Sequence, residues 1–389
     1  MKRTPFYELY KDHATLTEFA GFDLPLLYDS IQEEHMAVRK RVGLFDVTHM
    51  GRTFVRGSEA EAYLDYLTAN DIKRLEDNKG QYTLFCNDKG GVVDDLIVYR
   101  LNSNTYLLVH NAANRATDLE WMRSHTDGFD VIIEDVSDHT CMVAVQGPLS
   151  EVALTSSLPE ASGLGRFHSI ETTYGESKTI VSRTGYTGEK GFEVILWHAD
   201  DPDSPASLWR DLLDSITEQG GRACGLGARD SLRLEAGFCL YGNDLTQEIT
   251  PLEADLAWVV KFDQGDFIGK TALESRRGRM QRLRRGIILE KGIPRQGHKV
   301  LSASGLQIGS VSSGTFSPLL KRGIGFAYVE TGYARTEEAV YIHIRGRRAT
   351  AWISDFPFYD TEVYGATRKK PPRMKSRKKL DPRTVTRGR

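Results

Sequence analysis

The segment 80–99 constrains the fold of this chain most, because it places two β-rich runs on either side of a glycine turn. The runs are Tyr82–Cys86 and Leu96–Tyr99, and the turn at 87–91 reads Asn-Asp-Lys-Gly-Gly. Short runs of β-branched and aromatic residues around such a turn are typical of a β-hairpin. The sequence therefore predicts two antiparallel strands here.

Two neighbouring carboxylates, Asp94 and Asp95, lie where the second strand begins. Successive side chains of a strand point to opposite faces, so we expect one carboxylate to face solvent and the other an interior lined by tyrosines. A carboxylate in such an interior is costly to desolvate, which makes it a candidate for ligand binding or proton chemistry. The alternative is that both are ordinary turn residues, since Asp is common in turns.

The composition is that of a globular protein with more than one domain. The chain has 389 residues, of which 40% are hydrophobic, enough for a core divided over two or three domains. Its four cysteines have no Cys-x-x-Cys spacing, so neither a zinc site nor a disulfide framework is indicated. No signal-peptide pattern and no long apolar run is present. We expect a cytoplasmic protein without membrane contact.

The charge is divided unevenly along the chain. The formal net charge is −2, but residues 368–389 contain eleven Lys or Arg against the single acid Asp381, which leaves about −12 on the rest. This tail has almost no apolar residues, so we expect it to stay solvated and disordered, with a nucleic-acid or acidic partner as the alternative. Nothing in the rest of the chain indicates nucleic-acid binding, and we expect no such partner.

Helical and β-rich segments alternate in the first two thirds of the chain, which is typical of an α+β body. In the loop Arg183–Gly191, three glycines precede a β-rich run that contains Glu193, and this pattern predicts a second hairpin. The turn Cys224–Gly227 leads into a helix. It matches a dinucleotide fingerprint only weakly, because Asp230 stands at the third glycine position.

The residue pattern of the sequence changes after a basic stretch of low hydrophobicity at 275–285, which we interpret as a linker. From 286 to 358, short β-rich runs alternate with Gly, Pro and Ser turns. This pattern predicts a small C-terminal β-barrel.

Several motifs in this order make the chain resemble the T-protein (aminomethyltransferase) family of the glycine cleavage system. They are the hairpin 80–99, the loop Arg183–Glu193, the helix start Ala228–Gly237, the segment Thr250–Ala254, and the barrel segments Gly292–Arg295 and Ile308–Pro318. Each motif is short, and their shared order carries the resemblance. It covers residues 5–364 and leaves out only the basic tail.

The resemblance implies a three-domain cloverleaf of the α+β class with tetrahydrofolate in a central cavity. The implied units are a tetrahydrofolate-binding body of two interleaved subdomains at 1–274, a β-barrel at 286–365, and the tail at 366–389. The implied reaction moves the aminomethyl carbon from the lipoyl arm of H-protein to tetrahydrofolate and releases ammonia. The implied partners are therefore lipoylated H-protein and tetrahydrofolate.

The resemblance also implies roles for single residues. Asp95 matches the catalytic carboxylate, which lies near folate N10 in the family. We take as cofactor-binding residues Tyr82, Tyr99, Asn111, Tyr186, Glu193, Arg229, Trp258 and Tyr364. A carboxylate such as Glu193 can accept from both N–H groups of a pterin edge, and tyrosines offer flat apolar faces to the rings. Arg229 suits Glu193 or an anionic tail, with a pair to Asp230 as the alternative.

We expect no metal site in this protein. His49 and His110 are candidate bases or ligands, but they show no clustering with other ligands, so we expect packed or solvated histidines. His110 is also a departure from the family pattern, because relatives usually carry a small aliphatic residue before the Asn.

Two other functions stay open at this point. One is demethylation of a sulfonium or methylamine substrate with tetrahydrofolate as acceptor, an activity of the same superfamily. The other is a non-catalytic folate-binding helper protein. Asp95 favours aminomethyl transfer over the first, and the presence of the full pair Asp94 and Asp95 together with Glu193 argues against the second.

Overall fold

The computed structural model describes residues 1–198, 201 and 203–369, and the basic tail from residue 370 onward lies outside the described residues. The helices are α1 (Tyr7–Tyr10), α2 (Ile31–Lys40), α3 (Ala60–Leu67), α4 (Arg115–Ser124), α5 (Ser150–Thr155), α6 (Ser204–Glu218), α7 (Leu226–Ala236) and α8 (Lys270–Arg276). The strands are β1 (Thr15–Phe19), β2 (Phe22–Leu27), β3 (Gly43–Asp46), β4 (Gly51–Arg56), β5 (Lys79–Cys86), β6 (Val92–Asn102), β7 (Thr105–His110), β8 (Ile132–Asp135), β9 (Thr140–Gln146), β10 (Ser169–Tyr174), β11 (Ser177–Ser182), β12 (Gly191–Trp197), β13 (Arg222–Ala223), β14 (Arg282–Leu289), β15 (Lys299–Leu301), β16 (Gln307–Ser317), β17 (Arg322–Glu330), β18 (Ala339–Ile344) and β19 (Arg347–Ser354).

Two large sheets form most of the body beside the small two-stranded sheet β1-β2, and one of the large sheets is inserted into the other along the chain. The first has the strand order β10-β11-β12-β9-β3-β13, and the second has the order β5-β6-β7-β4-β8. The second sheet is therefore built entirely between β3 and β9 of the first. The sheets share a buried apolar cluster, to which the first contributes Phe45 and Met142 and the second contributes Phe54 and Leu107.

The predicted hairpin is confirmed as β5 and β6, which pair antiparallel with Leu84 opposite Asp95. Its turn is closed by Asn87, whose Oδ1 accepts from the main-chain N–H groups of Lys89 and Gly91, both at 3.0 Å. Gly90 has a φ of +79°, a conformation that costs glycine little and other residues more. The turn composition thus fixes the start of β6, which carries the candidate carboxylates.

The C-terminal unit is a closed barrel with the strand order β14-β17-β16-β15-β18-β19, filled by aliphatic side chains such as Ile287, Val300 and Val340. This confirms the predicted α+β class with a small C-terminal barrel. The exact domain limits stay a prediction. No helix among the described residues has the length and apolar character needed to cross a membrane.

The prediction of a linker at 275–285 is wrong at its C-terminal end, because the barrel strand β14 already begins at Arg282. Arg284 of this strand is buried, and its guanidinium donates to the carbonyls of Ala254 at 2.8 Å and Gly237 at 3.0 Å. The low hydrophobicity of this stretch suggested that it is exposed, but the guanidinium of Arg284 is buried and its hydrogen bonds go to main-chain carbonyls.

A buried network of charged side chains joins the body to the barrel. Arg39 of α2 is fully buried and donates to Glu235 of α7 at 3.0 Å and to Glu189, in the loop before β12, at 3.1 Å. The other oxygen of Glu235 accepts from the hydroxyl of Ser317 in barrel strand β16 at 2.5 Å. Arg368, which we assigned to the solvated tail, also pairs with Glu189. The described tail residue Arg368 is thus attached to the body by a buried carboxylate.

We expect Arg39→Gln to lower the free energy of unfolding by about 3–5 kcal/mol, because it leaves two buried carboxylates without their main partner. Urea denaturation at pH 7 measures the loss. Lys40→Gln is the matched control at the next, exposed position of α2, and should change the free energy by less than about 0.5 kcal/mol. A loss below about 1 kcal/mol for Arg39→Gln would contradict the anchoring role.

Candidate active site

The predicted catalytic carboxylate, Asp95, is oriented on β6 by side chains from two other segments. The hydroxyl of Tyr82, on β5, donates to Asp95 Oδ2 at 3.0 Å. The side-chain amide of Asn111, directly after β7, donates to Asp95 Oδ1 at 2.9 Å and to the Asp95 carbonyl at 3.0 Å. Both carboxylate oxygens therefore have a fixed hydrogen-bond partner.

The neighbouring carboxylate, Asp94, does not face solvent, so the prediction that one member of the pair is exposed is wrong. Asp94 is fully buried, whereas Asp95 stays partly accessible. Asp94 Oδ1 accepts from the side-chain amides of Asn111 at 3.0 Å and Asn114 at 2.9 Å, and Oδ2 accepts from the Asn111 main-chain N–H at 3.1 Å. The two faces of β6 differ as expected, but α4 covers the face on which Asp94 lies, with Asp118 next to it.

The protonation of Asp95 is shifted toward neutral pH. Burial, and secondarily the charge of Asp94, raise the pKa of Asp95 to about 7, while the hydrogen bonds from Tyr82 and Asn111 oppose the shift. A carboxyl group with such a pKa can hold or accept a proton at physiological pH, as general acid–base chemistry requires.

Glu193 lies on β12 at the end of a chain of hydroxyl groups. Because β12 pairs with both β11 and β9, this residue is on a central strand. Thr184 Oγ1 donates to Glu193 Oε2 at 2.5 Å, and the hydroxyls of Thr184 and Tyr99 are 2.8 Å apart. Burial raises the pKa of Glu193. Within the described part of the chain no side chain donates to Oε1, so this oxygen can accept from a ligand.

Tyr186 and Arg229 form a second pair of predicted residues. The Arg229 guanidinium of α7 lies 4.7 Å from the centre of the Tyr186 ring, whose other neighbour is Phe238, stacked at 5.9 Å. Burial lowers the pKa of Arg229, and the charge of Glu193 opposes that change. The alternative pair with Asp230 is not formed, because Asp230 contacts Arg233 at 2.8 Å.

Electrostatics connects these groups to Asp95. Burial raises the pKa of Tyr186, the charge of an arginine lowers it, and the charge of Asp95 raises it. The charge of Glu193 likewise raises the pKa values of Arg229 and Tyr99. Asp95 and Glu193, which come from different sheets, therefore each act electrostatically on one member of the pair Tyr186 and Arg229.

The remaining two predicted residues lie toward the outside. Trp258 is 60% exposed and stacks on the Tyr82 ring, with 6.0 Å between the ring centres. Tyr364 packs edge-on against Tyr359 at 6.5 Å and lies under the Arg368 guanidinium at 5.8 Å. Among the described contacts of Tyr364 there is none with Asp95, so the structure does not bring Tyr364 into the group around that carboxylate.

His110 lies in a cluster of ionisable groups, so the expectation that no ligands cluster around it is wrong. The His110 ring and the carboxylates of Asp94 and Asp118 place atoms within 4.8 Å of one another, and all three side chains are buried. The packing of β7 and α4 brings the three side chains together, and the spacing of these residues in the sequence does not reveal it. His49 is packed, as expected, and burial lowers its pKa to about 3.

Only some of the residues that we did not predict leave a signal in the sequence. Thr184 lies inside the glycine loop that was singled out for Glu193. Asn114 follows Asn111 by three residues, a spacing that brings side chains together in helical turns. Asp118 has no such signal, because its position opposite Asp94 depends on how α4 packs on the sheet.

Comparison with known proteins gives one consistent result. The GCVT N-terminal domain matches residues 6–264, and the glycine cleavage T-protein C-terminal barrel domain matches residues 282–360. An aminomethyltransferase of Thermus thermophilus is 45% identical over 92% of this chain and 99% of its own length, and one of Chloroherpeton thalassium is 41% identical over 92% and 99%.

The fold comparison agrees with the sequence comparison. The crystal structure of the glycine cleavage system aminomethyltransferase T from Bartonella henselae superposes with a TM-score of 0.86 at 32% identity. The match covers 92% of this chain and 98% of that one. With both domains matched in order and relatives similar over their whole length, this chain belongs to the glycine cleavage T-protein family.

Proposed function

We propose that this protein is the aminomethyltransferase of a glycine cleavage system. It moves the aminomethyl carbon from the lipoyl arm of an H-protein to tetrahydrofolate and releases ammonia. Relatives named aminomethyltransferase, 41–45% identical over nearly their full length, support this activity. The observation that carries the residue assignment is the orientation of Asp95 by Tyr82 and Asn111. Neither the described residues nor these relatives favour a demethylase or a non-catalytic helper protein.

The side chains of the site suit tetrahydrofolate as cosubstrate. Glu193, with Oε1 available and Oε2 held by Thr184, can accept from the adjacent ring and exocyclic N–H groups of a pterin. Tyr82 with Trp258, and Tyr186 with Phe238, form two pairs of stacked rings that can contact flat rings of a ligand.

Arg229 is suited to charge balance at this site. Its guanidinium has an aromatic contact and a nearby carboxylate, Glu193, but it forms no ion pair among the described residues. A planar guanidinium binds carboxylates through two parallel hydrogen bonds. It can therefore hold an ionised Glu193 in place or bind an anionic part of the cosubstrate.

Asp95 is the group that moves a proton. Tetrahydrofolate supplies two nitrogens, N5 and N10, that take up the one-carbon unit. A carboxylate that is ionised at working pH can accept the proton that N10 must lose, and Tyr82 and Asn111 hold that carboxylate in one orientation. Because the H-protein would bring the carbon on a flexible lipoyl arm, the residues of this chain need only bind, orient and deprotonate.

Purified protein given tetrahydrofolate and aminomethylated, lipoylated H-protein should release ammonia and form 5,10-methylenetetrahydrofolate in equal amounts. Asp95→Asn should reduce turnover by about 100-fold or more, because a positioned acid–base group contributes about 100- to 10,000-fold. Ammonia release and the absorbance of the folate product measure the formation of the two products.

The matched control is Asp88→Asn in the exposed turn of the same hairpin, which should keep full turnover. Formation of 5-methyltetrahydrofolate from a small sulfonium or methylamine donor, with no carrier protein present, would overturn the proposed activity. Equal turnover in Asp95→Asn and Asp88→Asn would leave the activity standing and overturn the role of Asp95.

The pH dependence of kcat/KM, which reports ionisations of the free enzyme, should have an acid limb with an apparent pKa near 7, because that is the pKa to which burial and Asp94 raise Asp95. Below it Asp95 is protonated and cannot accept a proton, so kcat/KM falls as the pH falls. An ordinary aspartate would place the limb at about 3.9. An acid limb near that value would contradict the assignment of the limb to Asp95. So would an acid limb that persists unchanged in the residual activity of Asp95→Asn.

Glu193→Ala should weaken tetrahydrofolate binding by about 1.5–3 kcal/mol, since it removes a charged hydrogen-bond acceptor. Isothermal titration calorimetry at pH 7 gives the change directly. Glu160→Ala, at an exposed position, serves as the control with unchanged affinity. If Glu193→Ala binds as tightly as the control does, Glu193 does not hold the pterin.

A further inference from the structure

A cluster of three buried residues lies next to Asp95 and has no role in the function proposed so far. We call Asp94, His110 and Asp118 the buried triad. His110 Nδ1 lies 3.0 Å from Asp118 Oδ2, and His110 Nε2 lies 3.0 Å from the hydroxyl of Thr53. Each of the three side chains is completely buried.

The hydrogen bonds show where the negative charge of the triad lies. Two buried carboxylates within 4.8 Å of each other cannot both be ionised without a large cost, so the pair of Asp94 and Asp118 retains one proton. Asp94 accepts from three N–H groups of Asn111 and Asn114, whereas the described residues give Asp118 only the contacts with His110 and Asp94. Burial and the charge of Asp118 raise the pKa of Asp94, and the hydrogen bonds from Asn111 oppose that change. Because N–H donors favour the ionised form of their acceptor and Asp94 accepts from three of them, we infer that Asp94 holds the negative charge of the pair and Asp118 the proton.

Asn111 connects this anion to the candidate catalytic residue. Its side-chain nitrogen lies 3.0 Å from Asp94 Oδ1 and 2.9 Å from Asp95 Oδ1. Its main-chain N–H also donates to Asp94, at 3.1 Å. Asn111 is thus held at two points by Asp94 before it reaches Asp95, and a neutral residue at position 94 would loosen both.

We propose that Asp94 is a positioning residue for aminomethyl transfer: as the anion of the buried triad it fixes Asn111, and through Asn111 and its own charge it sets the orientation and proton affinity of Asp95. The proposal rests on the proposed function of Asp95. It gives His110 and Asp118 the task of keeping a single negative charge on Asp94.

Within the triad, burial raises the pKa of Asp118 to about 7, but the other described ionisable groups near Asp95 do not titrate near neutral pH. They are Tyr82 of β5, Tyr186 in the loop before β12, Cys239 after α7, and Tyr241 of the same segment. Burial raises the pKa of each of them, that of Cys239 and of Tyr241 to about 12. A change in the titration of Asp95 therefore reports on the buried triad.

The groups around His110 do not alter this conclusion. It faces Arg52 of β4, Arg115 of α4 and Asp135 of β8, whose opposite charges partly cancel. Burial lowers the pKa of His110 to about 4, so the ring is neutral at pH 7. A neutral ring can accept from Thr53 at Nε2, which matches the observed distance, whereas Nδ1 lies 3.0 Å from Asp118 without a hydrogen bond between them.

The test compares Asp94→Asn with Asp118→Asn, since each removes one carboxylate from the same buried pair. We expect Asp94→Asn to reduce kcat by about 10–100-fold, a range typical of groups that orient another functional side chain, with KM for tetrahydrofolate within about 3-fold of wild type. Its acid limb should move to lower pH. The fold-loss of kcat in Asp118→Asn should be at least about 10 times smaller than that in Asp94→Asn, because an amide replaces a neutral carboxyl group of similar shape.

Two further measurements keep the test decisive. Carboxyl ¹³C NMR of the ligand-free protein, with the Asp95 signal assigned by its loss in Asp95→Asn, should show Asp95 titrating at lower pH in Asp94→Asn than in wild type. This readout needs no activity, so it separates failure of the proposal from failure of the proposed function. If Asp94→Asn does not fold, Asn114→Ala replaces it. This variant removes one donor from Asp94 and should lower kcat without changing KM.

Glu120→Gln on the exposed side of α4 is the control, and should match wild type in kcat and in the Asp95 titration. Equal losses in Asp94→Asn and Asp118→Asn, an unchanged Asp95 titration in Asp94→Asn, or wild-type turnover in Asn114→Ala would each overturn the proposal. So would a stoichiometric metal ion in the purified wild-type protein that is lost in Asp118→Asn, because the triad would then hold a cation and not a proton.

Discussion

The buried ion pair and the hydrogen bond that anchor α7 are the interactions on which the rest of the structure depends. Glu235 near its end pairs with Arg39 of α2, and Arg233, two residues earlier, donates to Ser313 of barrel strand β16 at 3.0 Å. Because a helix is rigid, fixing these side chains also fixes Arg229 at the other end, where it contacts the ring of Tyr186. Buried ions without partners are costly, so the body, the barrel and the candidate site keep one arrangement.

The hairpin of β5 and β6 was predictable because its signals are local. Turn residues at 87–91 fix the strand register, and alternation then separates Asp94 from Asp95. Alternation does not reveal what covers each face. Since Asp118 arrives on α4 from a later part of the chain, the sequence offered no sign that Asp94 would be as deeply buried as a core residue.

The charged core was the part of the fold that composition could not predict. Four of the largest fully buried side chains are Arg39, Arg52, Arg233 and Arg284, a residue type that is rarely buried without a partner. Arg52 is held largely by main-chain carbonyls, including those of Thr48 and Ser137, which no side-chain pattern encodes. The candidate ligand-binding residues were likewise predicted from the family resemblance, and the structure adds the hydroxyl contacts around Glu193.

The insertion of one sheet into the other has a consequence for the order in which the protein is made. Strand β3 pairs with β9, where Gly43 lies opposite Gln146, and with β13, where Gly43 lies opposite Arg222. During synthesis β3 therefore waits without its neighbours while the whole second sheet, residues 51–135, leaves the ribosome. We infer that this sheet folds first as a local unit, and that its closure brings the ends of the first sheet together and shortens the later search for partners.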